Sequence, residues 1–219
     1  MDRLNELWPE FWQAALETLY MTTVALALSG VLGTIIGIGL YVTRAGGLMP
    51  NRVLNAIIGF FVNFFRPIPF VIFIAVLMPV TRAVIGIGIG VNAGAFAIGI
   101  AASFAIGRIV EQHLVSVSPG VIEAARSMGA GPWRILFTVA IPESLGPLIL
   151  GYTFIVVALI DMTAMAGLVG GGGLGAFAQI YGFRQFEPVV MWAAIILIVA
   201  FVHLVQTLGA RLAREIMRR

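Results

Sequence analysis

Residues Thr18–Tyr41 read TLYMTTVALALSGVLGTIIGIGLY, and no side chain in the run ionises at neutral pH. A helix of this length in water needs a polar face, and this stretch offers none. The hydrocarbon core of a bilayer accepts about 20 such residues as one helix, so the stretch predicts a membrane span. The whole chain agrees. Of its 219 residues 60% are apolar and 11% charged, whereas a soluble domain is roughly 25% charged. So few charges cannot clothe a surface in water, and an all-α membrane protein is expected.

Upstream, Leu4, Leu7, Trp8, Phe11, Trp12, Ala15 and Leu19 recur at helical spacing with acids between them. This predicts an interfacial helix over residues 1–17, its tryptophans at headgroup level, with Pro9 and Glu10 suited to a first turn. Asp2, Glu6, Glu10 and Glu17 against Arg3 alone do not resemble the basic start of a cleaved signal peptide, so a retained N-terminus is expected.

Downstream, the apolar stretch Val53–Val80 is interrupted by Arg66-Pro67-Ile68-Pro69. Two missing backbone donors argue against one straight helix. A shallow amphipathic segment followed by a span near Pro67–Val80 is expected, with Arg66, Pro67 and Pro69 forming either a hinge or a static kink. Further spans are placed at Ala93–Val110, Pro147–Leu168 and Val189–Leu208, giving five within a membrane domain of residues 18–210. Arg211, Arg214, Arg218 and Arg219 form a basic tail over residues 211–219.

Five spans put the termini on opposite sides. With the tail in the cytoplasm, ten arginines fall inside and only Arg3, Arg82 and Arg184 outside. That asymmetry satisfies the positive-inside rule, and the inverted topology violates it. The N-terminus is therefore expected outside.

Composition also excludes chemistry. There is no Cys, hence no disulfide or thiolate metal site. His203 stands alone among apolar residues, so no metal is expected. All 13 basic residues are Arg; without Lys no P-loop exists, and no enzymatic activity is expected of this chain.

One long stretch, residues 113–146, is not convincingly apolar. Within it Ser118-Pro119-Gly120-Val121-Ile122-Glu123-Ala124-Ala125-Arg126-Ser127-Met128-Gly129 predicts a short helix, capped by Ser118, opened by Pro119 and stopped at Gly129. Gly131-Pro132-Trp133-Arg134 starts a second, predicted to close before Pro142. Together they form a compact cytoplasmic knob whose alanines permit close packing, while Glu123, Arg126 and Arg134 are suited to charge-assisted bonds with a partner.

Glu123-Ala124-Ala125, Gly129 and Ile141-Pro142 resemble the EAA loop of ABC-importer permeases, with Val139-Ala140-Ile141-Pro142 departing conservatively from its closing Ile-x-Leu-Pro. The segments Asn63–Phe70, Met78–Arg82, Ala164–Gly167, Gly170–Gly175 and Tyr181–Phe183 are similar to methionine-uptake permeases in particular. The resemblance implies the type I importer fold in a bacterial inner membrane and a homodimer of five-helix subunits. Two cytoplasmic P-loop ATPase subunits, holding the ATP and magnesium that this chain does not bind, would engage Glu123, Ala124, Ala125, Arg126, Gly129, Arg134 and Pro142. A periplasmic or lipid-anchored binding protein would deliver the amino acid; no nucleic acid is implied.

Asp161 lies well inside the fourth span, where an acid costs roughly 2.5–3.5 kcal/mol on insertion scales. It either lines a pathway and attracts a substrate ammonium group, or has a structural role: paired with Arg108, or protonated and bonded to a backbone carbonyl. Phe154, Met162 and Met165 are candidates for a gate beside it, although Met in a membrane helix commonly serves as packing. Gly170–Gly173 is either a close-packed re-entrant turn or a flexible link. A proton-coupled carrier or channel relaying through Asp161 is the rival function. It has no need of the 113–146 loop.

Overall fold

The computed structural model describes residues 2–217, and Arg218 and Arg219 of the expected tail lie outside them. A short α1 (Asp2–Glu6) ends at Leu7, and Pro9 sits in the first turn of α2 (Trp8–Thr43). With no proline between Pro9 and Pro50 and no glycine before Gly30, nothing interrupts α2. The amphipathic stretch and the uncharged stretch are one helix of 36 residues. At 1.5 Å per residue it runs about 54 Å, well beyond a hydrocarbon core of about 30 Å.

Asn51 opens α3 (Arg52–Phe65) by accepting the Leu54 N–H at 3.0 Å. The chain then turns through Arg66, Pro67 and Pro69 into α4 (Phe70–Ile85), and the two helices are bent by 115°. Val53, Ile57, Phe60, Phe61 and Phe64 leave an apolar face on α3 exposed. The remaining elements are α5 (Val91–Val115), α6 (Pro119–Ser127), α7 (Pro132–Ile135), α8 (Ile141–Leu168), α9 (Gly173–Phe177) and α10 (Pro188–Met217), with π-turns over Leu136–Ala140 and Ala178–Phe183. Four helical runs are long and apolar enough to cross a bilayer, and the bent α3–α4 pair, taken as one crossing, makes five.

The second short helix does not close before Pro142. Pro132–Leu168 is one helical run of 37 residues. The reason is a π-turn over Leu136–Ala140, in which the Ile141 N–H bonds back to Leu136 O. Pro142 falls in the first turn of α8 directly after this register change, and the helix continues past it with Pro147 also inside.

The scaffold is the pairing of α2 with α5. A Cβ on Gly33 would sit 2.5 Å from Ile106 Cβ and 2.8 Å from Ser103 O; one on Gly37 would sit 2.6 Å from Gly107 O. Backbones this close are how membrane helices gain van der Waals contact where lipid gives no hydrophobic drive. Tyr152 of α8 joins α2 midway, its hydroxyl bonding Thr34 and donating to Gly30 O. Ile98, Ala102, Ile106, Leu136, Ile155 and Leu159 belong to the main core. A second core joins Phe11, Ala14 and Ala15 of α2 to Leu174, Phe177, Val190 and Ala194.

The two ends of the bundle differ. At one, Arg126 of α6 reaches Gly47 in the α2–α3 connection, and Met217 packs on Gly146 at the start of α8. At the other, Tyr20 bonds Asn92 at 2.8 Å and Arg3 bonds Gln185 at 3.0 Å.

Candidate functional site

The knob is built from local rules. Pro119 occupies the first turn of α6, although the Ser118 side chain makes no capping bond. Gly129 adopts φ +80°, its N–H bonding Arg126 O at 2.9 Å while the Ala130 N–H bonds Ala125 O at 3.1 Å. This pair of bonds is a Schellman stop, and the left-handed residue it requires is why glycine stands there. Gly131 is extended and Pro132 starts α7, so the chain leaves α6 and enters the long Pro132–Leu168 run within a few residues.

The expected contact residues fall on two sides of the knob. Glu123, Ala124, Gly129, Arg134 and Pro142 are exposed. Ala125, 4% exposed, instead joins the core with Ile135 and Leu136. Arg126 turns toward the bundle, its Nη2 donating to Gly47 O at 3.0 Å. Sequence reading did not single out what else the knob displays: Met128, 81% exposed, with Val121, Trp133 and Phe137 exposed nearby in sequence, the last two stacked at 6.2 Å between ring centroids. Large apolar side chains at a polar loop were the available signal.

Along α8, Leu150, Phe154, Asp161, Met165 and Leu168 are all exposed. Their separations of four, seven, four and three residues place them on one stripe. Met162 does not share it and packs against the main core. Arg108 is not the partner of Asp161: its guanidinium bonds Glu111 at 2.6 Å and Asn63 of α3 at 2.7 Å. Among the described residues the Asp161 side chain makes no hydrogen bond or ion pair, to a backbone carbonyl or otherwise.

At the far end of α8 the tetraglycine is a turn, not a tether. Gly170, Gly172 and Gly173 have φ of 88°, 78° and 76°, values open to glycine and costly for other residues. The turn delivers α9 onto α2, where the Gly173 N–H donates to Glu17 Oε2 at 2.8 Å and the Leu174 N–H to Thr18 Oγ1 at 2.9 Å. Removing the buried Thr18 acceptor orphans a backbone donor, at about 1–3 kcal/mol. Thr18→Val should therefore lower the melting temperature of the detergent-solubilised protein measurably, while Thr23→Val, on an exposed position with only a local bond to Leu19 O, should not. His203 bonds Val199 O within its own helix, and no group of three or more metal-ligating side chains occurs among the described residues.

Comparison with known proteins places this geometry. The family model described as binding-protein-dependent transport system inner membrane component matches residues 29–218. The methionine import system permease protein MetP of Bacillus subtilis is 41% identical over 210 residues, 96% of this chain and 95% of its own. The probable D-methionine transport system permease protein MetI of Vibrio cholerae is 36% identical over 206 residues, 94% of this chain and 92% of its own. Among solved structures, an inward-facing conformation of the MetNI methionine ABC transporter superposes with a TM-score of 0.93 at 36% identity, covering 97% of this chain and 98% of that one. With the family model spanning both the knob and the α8 stripe, and relatives aligned nearly end to end, the chain belongs to the inner-membrane components of binding-protein-dependent transport systems.

Proposed function

We propose that this chain is the membrane-spanning subunit of an ATP-driven importer that carries methionine into a bacterial cytoplasm. The observation that carries the reading is mechanical. The knob leads into a single helical run, Pro132–Leu168, that bears the Asp161 stripe. This run is about 55 Å long, so a push on the knob reaches the stripe along one continuous helix, which carries a π-turn at Leu136–Ala140 and Pro147 within α8.

ATP and magnesium belong to two P-loop ATPase subunits docked on the knob, since a chain without Lys supplies no phosphate-binding loop. Glu123, Ala124 and Arg134, with Met128 and Trp133, form the contact; Gly129 and Pro142 set its shape. The knob end is cytoplasmic by the distribution of arginines, and the end carrying α9 receives the binding protein. Two copies of the chain face each other across the α8 stripes, which brings both Asp161 side chains to a shared pathway lined by Phe154 and Met165. Closure of the ATPases rocks the two halves as rigid bodies, and the α3–α4 bend at Arg66, Pro67 and Pro69 moves as part of each half. The methionine assignment rests on the relatives; the unpaired Asp161 suits the ammonium group of any amino acid.

Asp161→Asn should leave membrane accumulation and ATPase co-purification intact and reduce methionine uptake by about tenfold, the loss of one charge-assisted contact. Uptake kinetics equal to those of the unaltered chain would remove Asp161 from the pathway.

A further inference from the structure

The bond from Arg126 to Gly47 is, among the described residues, the one side-chain hydrogen bond that joins α6 to another part of the bundle. We infer that Arg126 is a positioning residue that passes the movement of α6 to α2, so that the knob drives α2 through this contact as it drives α8 through the chain itself. The inference rests on the coupling role proposed above and adds the route by which a second helix is driven.

The receiving end is stiff. In the α2–α3 connection the Gly47 N–H bonds Arg44 O at 2.9 Å, the Met49 N–H bonds Val42 O at 3.0 Å and the Asn51 N–H bonds Thr43 O at 2.9 Å. Asn55 of α3 donates from Nδ2 to Leu40 O at 3.0 Å and to Thr43 Oγ1 at 3.1 Å, fastening α3 to the last turn of α2. Gly47 is fixed as well: a Cβ there would lie 2.6 Å from Val42 O, 2.8 Å from Tyr41 O and 2.9 Å from Arg44 O. All three are backbone atoms that no rotamer change relieves. The Gly47 carbonyl is thus presented by a braced turn, and force applied to it moves the end of α2 instead of deforming a loop.

The side of delivery is equally defined. Arg126 is in the last turn of α6, next to Ala125, which the core holds. Arg44, whose guanidinium lies 5.0 Å over the Tyr41 ring, lines with Arg126, Tyr41 and Glu123 a small cavity of about 100 Å³ between the knob and the turn. Tyr41 and Arg44 occupy the space beside the turn, and neither replaces the Arg126 bond. Since α2 is packed along α5 by glycine contacts, what reaches α2 reaches α5. Spatial contiguity alone does not establish coupling; a measured interaction between the two ends of the contact does.

The test uses proteoliposomes holding the full complex of this chain with its ATPase subunits and the binding protein, loaded with ATP, and reads radiolabelled methionine taken up per ATP hydrolysed. Arg126→Ala should lower that ratio by about tenfold, and Arg126→Lys, which keeps a cationic donor, should restore a substantial part of it. Gly47→Ala, which displaces the acceptor, should lower the ratio similarly. The double variant should be no worse than either single one, because the two changes remove one contact. An unchanged ratio in Arg126→Ala, or strictly additive losses in the double variant, would overturn the inference. The variants are compared at matched levels of complex, so lost accumulation does not count as lost coupling. Failure of the unaltered chain to bind any ATPase is a different outcome, and it would sink the function proposed above.

Discussion

Gly37→Leu should abolish accumulation of the folded protein in the membrane, and Gly33→Leu should do nearly the same. Both glycines lie where α2 meets α5. A Cβ at Gly37 would already stand 2.6 Å from Gly107 O and 2.6 Å from Val110 Cβ; at Gly33 it would stand 2.5 Å from two Ile106 carbons. Overpacking a soluble core costs about 1–3 kcal/mol when side chains can shift. Here carbonyl oxygens of the facing helix stand in the way, so the two helices must part, and the main core that they carry parts with them. Gly59→Leu is the control, because its nearest neighbour would be the far end of Leu40 at 4.0 Å. Quantifying monodisperse protein after detergent extraction checks this. Wild-type yield from Gly37→Leu would mean that α2 and α5 do not pack as described.

Met128→Glu combined with Trp133→Glu should leave the protein folded and inserted while reducing ATPase co-purification and methionine uptake by about 100-fold or more. Exposed apolar and aromatic anchors dominate protein interfaces, with about 2 kcal/mol or more lost per hot-spot residue, and a new carboxylate against a docked surface adds a desolvation cost. Both side chains are exposed, so the cost is small: about 0.5 kcal/mol at Met128 and about 0.5–1.5 kcal/mol for the lost Trp133–Phe137 stack. The competing account of the Trp133–Phe137 stack is an aromatic anchor at the headgroup level. Under that account the double variant inserts poorly and whatever inserts still binds the ATPase. Measuring membrane level and co-purification side by side separates the two.

Much of this was legible in the sequence because it depends on local chemistry. The uncharged Thr18–Tyr41 run, the Pro67 and Pro69 interruption and the Pro119 start and Gly129 stop of α6 all follow from rules that act within a few residues. Gly33 with Gly37, and Ser103 with Gly107, repeat small residues at four-residue spacing, a signal for close helix packing that was present and went unused. Other features had no local signal. Glu17 and Thr18 meet Gly173 and Leu174 across 156 positions of sequence, and Arg126 meets Gly47 across 79. Proline arithmetic misled at Pro142, which lies in the first turn of α8 directly after the π-turn of Leu136–Ala140 and does not end the helical run. Arg108 is a natural partner for Asp161 by residue type, but Glu111, one turn away on the same helix, takes it first.

The most direct test of the account is uptake of radiolabelled methionine by proteoliposomes containing this chain, its ATPase subunits and the binding protein. ATP and magnesium on the knob side should drive accumulation, a proton gradient without ATP should not, and the Met128→Glu, Trp133→Glu variant should lose the ATP-driven signal. Accumulation driven by the proton gradient alone, in vesicles lacking the ATPase, would contradict it.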